Sequence, residues 1–239
     1  MDIRDVKYKE KILSYFVNKN RLIKLLLDEC LSKRYENKPL KILSLGCGTG
    51  EELKVLSDYG EVYAIDIDSN VLNFVDRSLC KKIKICDVCK IEFEDNFFDI
   101  VVGFDILEHI EDDTKAAEEI YRVLKPKGKF VFTVPAFQFI FSSHDVVLGH
   151  KRRYNKKMLK SLFLSFKIKQ MFFYQYILFP FMIIFRILRK KSKNIDLKVV
   201  PKICFEIINS ISQVELFLIK LGVKFKIFGL TLCGIVEKI

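Results

Sequence analysis

The apolar positions of this chain change period along its length. Ile12, Leu13, Phe16 and Val17, then Leu22, Ile23, Leu26 and Leu27, recur at three-to-four spacing, which lines one face of a helix. Residues 1–38 therefore read as a helical lead-in, closed by Pro39. Short, near-continuous apolar runs follow: LKILSL (40–45), EVYAIDID (61–68), KIKIC (82–86), FDIVVGFD (98–105) and KFVFTVP (129–135). Runs without polar alternation are what strands buried on both faces require. Glu51 to Leu56 resumes a helical pattern, and TKAAEEIYRVLKPKG reads as a helix closed by Pro126 and Gly128. Strands alternating with helices predict a parallel sheet covered on both faces.

The second half differs in texture. FKIKQMFF (166–173) and FKIFGLTLCGIVEK (225–238) read as strands, while residues 174–224 between them are largely helical, apolar and basic. The expected organisation is one domain over 1–239: lead-in (1–38), core (39–135), a loop and helix (136–170), a helical apolar insertion (174–224) and a terminal strand (225–239). There is no internal repeat and no low-complexity linker.

Composition adds bounds. At 239 residues, 50% hydrophobic and 30% charged, the chain is a folded domain. The start mixes acids and bases before any apolar block, unlike a secretory signal, and seven cysteines without framework spacing suit reduced thiols, so a cytosolic location is expected. The net charge of +11 points to an anionic partner. Its clusters, GHKRRYNKK and RILRKKSK, sit beside strongly apolar sequence. That favours an anionic membrane surface or a lipid-like substrate over nucleic acid.

Gly46, Gly48 and Gly50 lie between the first strand and its helix. Such a turn brings bare backbone against a ligand, and the helix start adds free N–H donors. The spacing is G-x-G-x-G, not the G-x-G-x-x-G of dinucleotide sites, and Glu51 and Glu52 would oppose a pyrophosphate. The ligand should be flat, polar and without phosphate.

The stretch LGCGTG after a strand resembles the first motif of the class I S-adenosylmethionine-dependent methyltransferases, and the resemblance extends over residues 40–135. It implies a doubly wound, mostly parallel seven-stranded sheet of the Rossmann-like methyltransferase kind, with the helical insertion before the last strand. It also implies S-adenosylmethionine as cofactor. Gly46, Cys47, Gly48 and Gly50 would form its loop, Asp66 with Ile67 would meet the ribose, and Asp87 with Val88 the adenine. Phe104 and Asp105 would face the methionine part. The acid common two residues before the first glycine is Ser44 here, so the partner of the methionyl ammonium is left open. Asp66 and Asp87 could instead be turn formers, and Glu108 and His109 cap or surface residues.

The loop after strand five carries His144, Asp145, His150, Arg152, Arg153 and Tyr154. With Phe179-Pro180 and FGLTL (228–232), it resembles a bacterial and archaeal subgroup of these enzymes with an HD...GHxRRY element. His144 is the first candidate for a general base, oriented by Asp145, with His150 in reserve. His109, Arg152, Arg153 and Tyr154 are candidate acceptor contacts, the arginines for a phosphate or carboxylate. Each also has a structural alternative as a loop anchor or a partner of nearby acids.

The uncharged run from Met171 to Phe185 would reach about 22 Å as a helix, short of a bilayer core of about 30 Å. With the bases of 186–193 it reads as an interfacial element; a cap over the pocket or a homodimer contact are the alternatives. Cys86 and Cys89, with Cys80 nearby, lack a second pair or a local histidine, so no metal is expected. The reading is methyl transfer to a small-molecule or lipid-linked acceptor, at oxygen, in the cytoplasm or at the inner face of the membrane. A nucleic-acid methyltransferase and a non-catalytic cofactor-binding scaffold are the rivals.

Overall fold

The computed structural model describes residues 6–31, 39–189 and 202–239. Seven strands, β1 (Leu40–Leu45), β2 (Gly60–Asp66), β3 (Lys82–Ile85), β4 (Phe98–Phe104), β5 (Leu124–Pro135), β6 (Phe166–Tyr174) and β7 (Thr231–Lys238), form one sheet in the order β3-β2-β1-β4-β5-β7-β6. The first five run parallel, and β7 is antiparallel to both β5 and β6. The helices are α1 (Val6–Leu31), α2 (Leu53–Ser57), α3 (Ser69–Leu72), α4 (Asp113–Val123), α5 (Ser143–Val147), α6 (Lys156–Leu162), α7 (Phe179–Arg189) and α8 (Lys202–Lys220).

Neighbouring residues of β1 show why the strands read as continuous apolar runs. Leu43 is buried under α4 and α6 with Ile65, Val101, Ile120 and Leu159. Ile42 points the other way, into a second core with Ile23 and Leu27 of α1, Leu53 of α2 and Ile219 of α8. Both faces must therefore be apolar, and each such side chain contributes roughly 1.5–3 kcal/mol when fully buried.

Several boundaries differ from the sequence reading. Strand β2 ends at Asp66, because Asp68 leaves the ladder and caps α3 by accepting from the Asn70 N–H at 2.8 Å. Helix α4 stops at Val123, so Pro126 and Gly128 lie inside β5, where Lys127 has φ +65° and the pairing shifts register opposite Phe98 and Ile100. The last strand begins at Thr231 rather than 225; Phe225 makes only an isolated bridge to Phe173.

The run Met171 to Phe185 is not one helix. Its first residues complete β6, Gln175 turns the chain with φ +57°, and α7 starts at Phe179. Pro180 sits in the first turn of that helix, where its missing N–H leaves no bond unmade. Among the described residues no helix is long and apolar enough to cross a membrane. Residues 190–193 of the expected basic cluster, and residues 1–5 and 32–38 of the lead-in, lie outside the described residues.

Candidate active site

The order of the sheet reverses between β1 and β4, and ligands of such folds sit beyond the carboxyl ends of the strands there. The chain turns away from β1 through Gly46, Gly48 and Gly50, with φ of +63°, +52° and +85°. A side chain at Gly46 would lie 2.4 Å from Ile106, whereas at Gly48 nothing stands within 4 Å. The bare backbone is thus packed from below at Gly46 and open above Gly48.

The end of β2 is fastened to this turn. Asp66 Oδ2 accepts from the Gly48 N–H at 2.8 Å and Oδ1 from the Asp68 N–H at 2.9 Å. Each carboxylate oxygen can accept a second bond, so Asp66 stays competent toward a diol. Ile67 beside it is 70% exposed. Asp87 follows β3, is exposed, and accepts from the Cys89 N–H at 2.8 Å as the cap of a short turn; Val88 is buried behind it. Open backbone, a carboxylate with free lone pairs and an exposed apolar face are a donor set that fits an adenosyl group.

Ser44 donates to Glu52 Oε1 at 2.9 Å. A carboxylate from the start of α2 therefore reaches the place where the strand itself offers only a hydroxyl. Burial pushes the Glu52 carboxyl above its usual range, opposed by the nearby Lys19 ammonium. Lys19 pairs with Asp105 Oδ2 at 3.0 Å, and Asp105 Oδ1 accepts from the Thr133 hydroxyl at 2.9 Å. Burial raises the Asp105 carboxyl, but Lys19 and Thr133 together hold it below the usual range. Asp105 adopts φ +56° just past β4, with Phe104 buried behind it.

A cleft of about 530 Å³ opens beside Asp105, walled by α1, the turn after β4, the α5 loop and α8. His109, His144, His150 and Arg153 reach it; Arg152 and Tyr154 do not. Asp145 is wholly buried and lies 3.1 Å from His150 Nδ1, because it serves as the fourth residue of a capping box with Ser142 and points back under the loop. His144 lies on the cleft wall.

The arginines are also committed elsewhere. Arg153 gives Nε and Nη2 to Asp145 at 2.7 and 2.5 Å and Nη1 to the Ala136 carbonyl at 3.2 Å. Arg152 pairs with Asp113 at 2.8 Å and donates to the Glu111 carbonyl at 2.7 Å. Tyr154 is a buried strut whose hydroxyl lies 2.8 Å from Asp113 Oδ2 and 3.1 Å from the Leu107 carbonyl. The acids that hold these three groups are supplied by other elements: Asp145 by α5 and Asp113 by α4.

Lys19, Glu52 and Glu108 join the site without having been singled out as site residues. Glu108 is wholly buried, and burial followed by the charge of Asp105 pushes its carboxyl well above the usual range. His109 beside it is held below the usual imidazole range by burial and then by His150. An acid four positions after the end of a strand reads as a turn residue, and nothing in its neighbours announces burial.

A protein-family profile described as "Methyltransferase domain" matches residues 43–132, the stretch that carries the glycine turn, Asp66 and β4. An uncharacterized protein of Methanocaldococcus jannaschii is 39% identical over 106 residues, which is 44% of this chain and 45% of that protein. The chain thus spans less than half the length of that curated relative. Among solved structures, the complex between the Haloferax volcanii Trm112 methyltransferase activator and the putative methyltransferase contains a chain matched with TM-score 0.59 and 16% identity, over 99% of this chain and 97% of that one. Haemonchus contortus phosphoethanolamine N-methyltransferase 2 in complex with S-adenosyl-L-methionine matches with TM-score 0.59 and 21% identity, over 92% of this chain and 52% of that one. The chain shares the Rossmann-like fold of these solved methyltransferases.

Proposed function

We propose that the protein transfers a methyl group from S-adenosylmethionine to a small-molecule or lipid-linked acceptor, at a hydroxyl oxygen. The observation that carries this is adjacency: Asp105 belongs both to the turn after β4, whose Ile106 packs against Gly46, and to the wall of the histidine-lined cleft. S-adenosylmethionine supplies an electrophilic methyl carbon. The chain binds its adenosyl part through Gly48 and Asp66, and Glu52 is the group suited to its ammonium, taking the role that Ser44 cannot.

The rest of the chemistry belongs to the cleft. Methyl transfer depends on alignment and on removing a proton from the acceptor. His144 faces the cleft and is the base in this reading, while His150 is turned toward Asp145. A cleft roofed by α8 suits a compact acceptor better than a nucleic-acid duplex. Phe181 of α7 and Phe217 of α8 are 66% and 61% exposed, which supports contact of the insertion with an anionic membrane at its inner face; a homodimer would cover the same side chains.

Calorimetry with S-adenosylmethionine followed by a tritiated-methyl screen over sugar, lipid and RNA fractions tests the reading. Label in a small or lipid fraction supports it. Label confined to RNA, or cofactor binding with no acceptor labelled, assigns the chain to one of the rival functions instead. Sedimentation with anionic vesicles, weakening in high salt, tests the membrane contact.

A further inference from the structure

Glu108 is the anomaly of the cleft. Its side chain is wholly buried, and neither carboxylate oxygen has a hydrogen-bond partner. An uncompensated buried carboxylate costs several kcal/mol, so such a group calls for a partner. Two imidazoles face it. His150 Nε2 lies 4.0 Å from Glu108 Oε1, and one ligand atom each from Glu108, His109 and His150 all lie within 4.8 Å of one another.

The second nitrogen of His150 is engaged elsewhere. His150 Nδ1 is held by Asp145, which Arg153 and the Ser142 N–H lock in turn. The two rings stand perpendicular, with centroids 4.8 Å apart. A carboxylate on the far nitrogen is the usual way a ligating histidine is oriented.

We propose that Glu108, His109 and His150 form a binding site for a divalent first-row cation of the Mn²⁺, Fe²⁺ or Zn²⁺ type, opening on the acceptor cleft. Two imidazoles and a carboxylate suit those ions, and three protein ligands leave coordination positions free. All three residues line the cleft, so the free positions face the acceptor. Ligand atoms around such an ion stand about 3.4 Å apart, so binding draws the three side chains inward by about 1 Å.

Asp105 is not among the ligands, since Lys19 and Thr133 occupy it. The thiols that the sequence offers do not converge: Cys86 Sγ faces the Lys90 carbonyl and Cys89 Sγ the Asp112 carbonyl. Among the described residues, the Glu108 cluster is the grouping whose ligand atoms come together. The inference builds on the proposed acceptor cleft: a cation there lowers the proton affinity of an acceptor oxygen bound to it. Its readout is nevertheless metal binding, not turnover.

The test takes the full chain, stripped with a chelator, and titrates it separately with Mn²⁺ and Zn²⁺ by calorimetry and with Co²⁺ by absorption. One equivalent should bind. Affinity should fall at least tenfold in Glu108→Gln and His109→Ala, and stay unchanged in the Cys86→Ser, Cys89→Ser double variant. No binding by the wild-type chain overturns the proposal, as does a thiolate charge-transfer band with Co²⁺ or binding that persists in folded Glu108 and His109 variants. The wild-type stoichiometry and spectrum decide the matter even where a variant does not fold. Metal binding without methyl transfer would leave this site standing and remove the proposed function; methyl transfer by a chain that binds no metal would do the reverse.

Discussion

Asp145 and His150, five residues apart, are joined by a 3.1 Å contact across the turn that closes α5, and Arg153 completes the group from the other side. The consequence is a buried charged cluster under the cleft. Removing one partner of a buried ion pair costs about 3–5 kcal/mol because the other is left uncompensated. Asp145→Ala should therefore lower the urea-unfolding free energy by about that much, and adding Arg153→Met should recover part of it. A folded Asp145→Ala protein of unchanged stability would show that the cluster is not what holds the loop.

His144 faces the cleft. If it takes the acceptor's proton, His144→Ala should reduce turnover on the order of a hundredfold while leaving the affinity for S-adenosylmethionine unchanged. Steady-state kinetics beside calorimetry reads both, and unaltered turnover removes His144 from the role.

Gly46 and Gly48 share a left-handed backbone but not a neighbourhood. Alanine at Gly48 meets open space and should cost about 1–2 kcal/mol for its φ alone. Alanine at Gly46 also meets Ile106 and should cost about 1–3 kcal/mol more. Cofactor binding should be the more sensitive readout at Gly48, since its backbone is the open one. Equal stability losses at the two positions would contradict the packing argument.

Asp66 ties the glycine turn to β2 with one bond per oxygen and keeps capacity for a ribose. Asp66→Ala should raise the Kd for S-adenosylmethionine by about tenfold or more, as loss of a hydrogen bond to a charged group does. An unchanged Kd in titration would place the adenosyl group elsewhere.

The sequence by itself determined the parallel half of the sheet and the glycine turn. β1 and β4 are buried on both faces, so their sequences admit no polar alternation, and the turn needs a positive φ at three places that only glycine adopts freely. Such constraints act between residues close in the chain and are readable there. Where β5 begins, where β7 begins and how the run after Met171 divides between strand and helix depended on pairing partners far away in sequence. The same holds for the site. The contacts of the Asp145 carboxylate with His150 and Arg153 depend on the capping box that turns it under the loop. Glu108 reads as a surface acid until β4, α1 and the α5 loop close around it, because burial is a property of what the rest of the chain brings there, not of the residue.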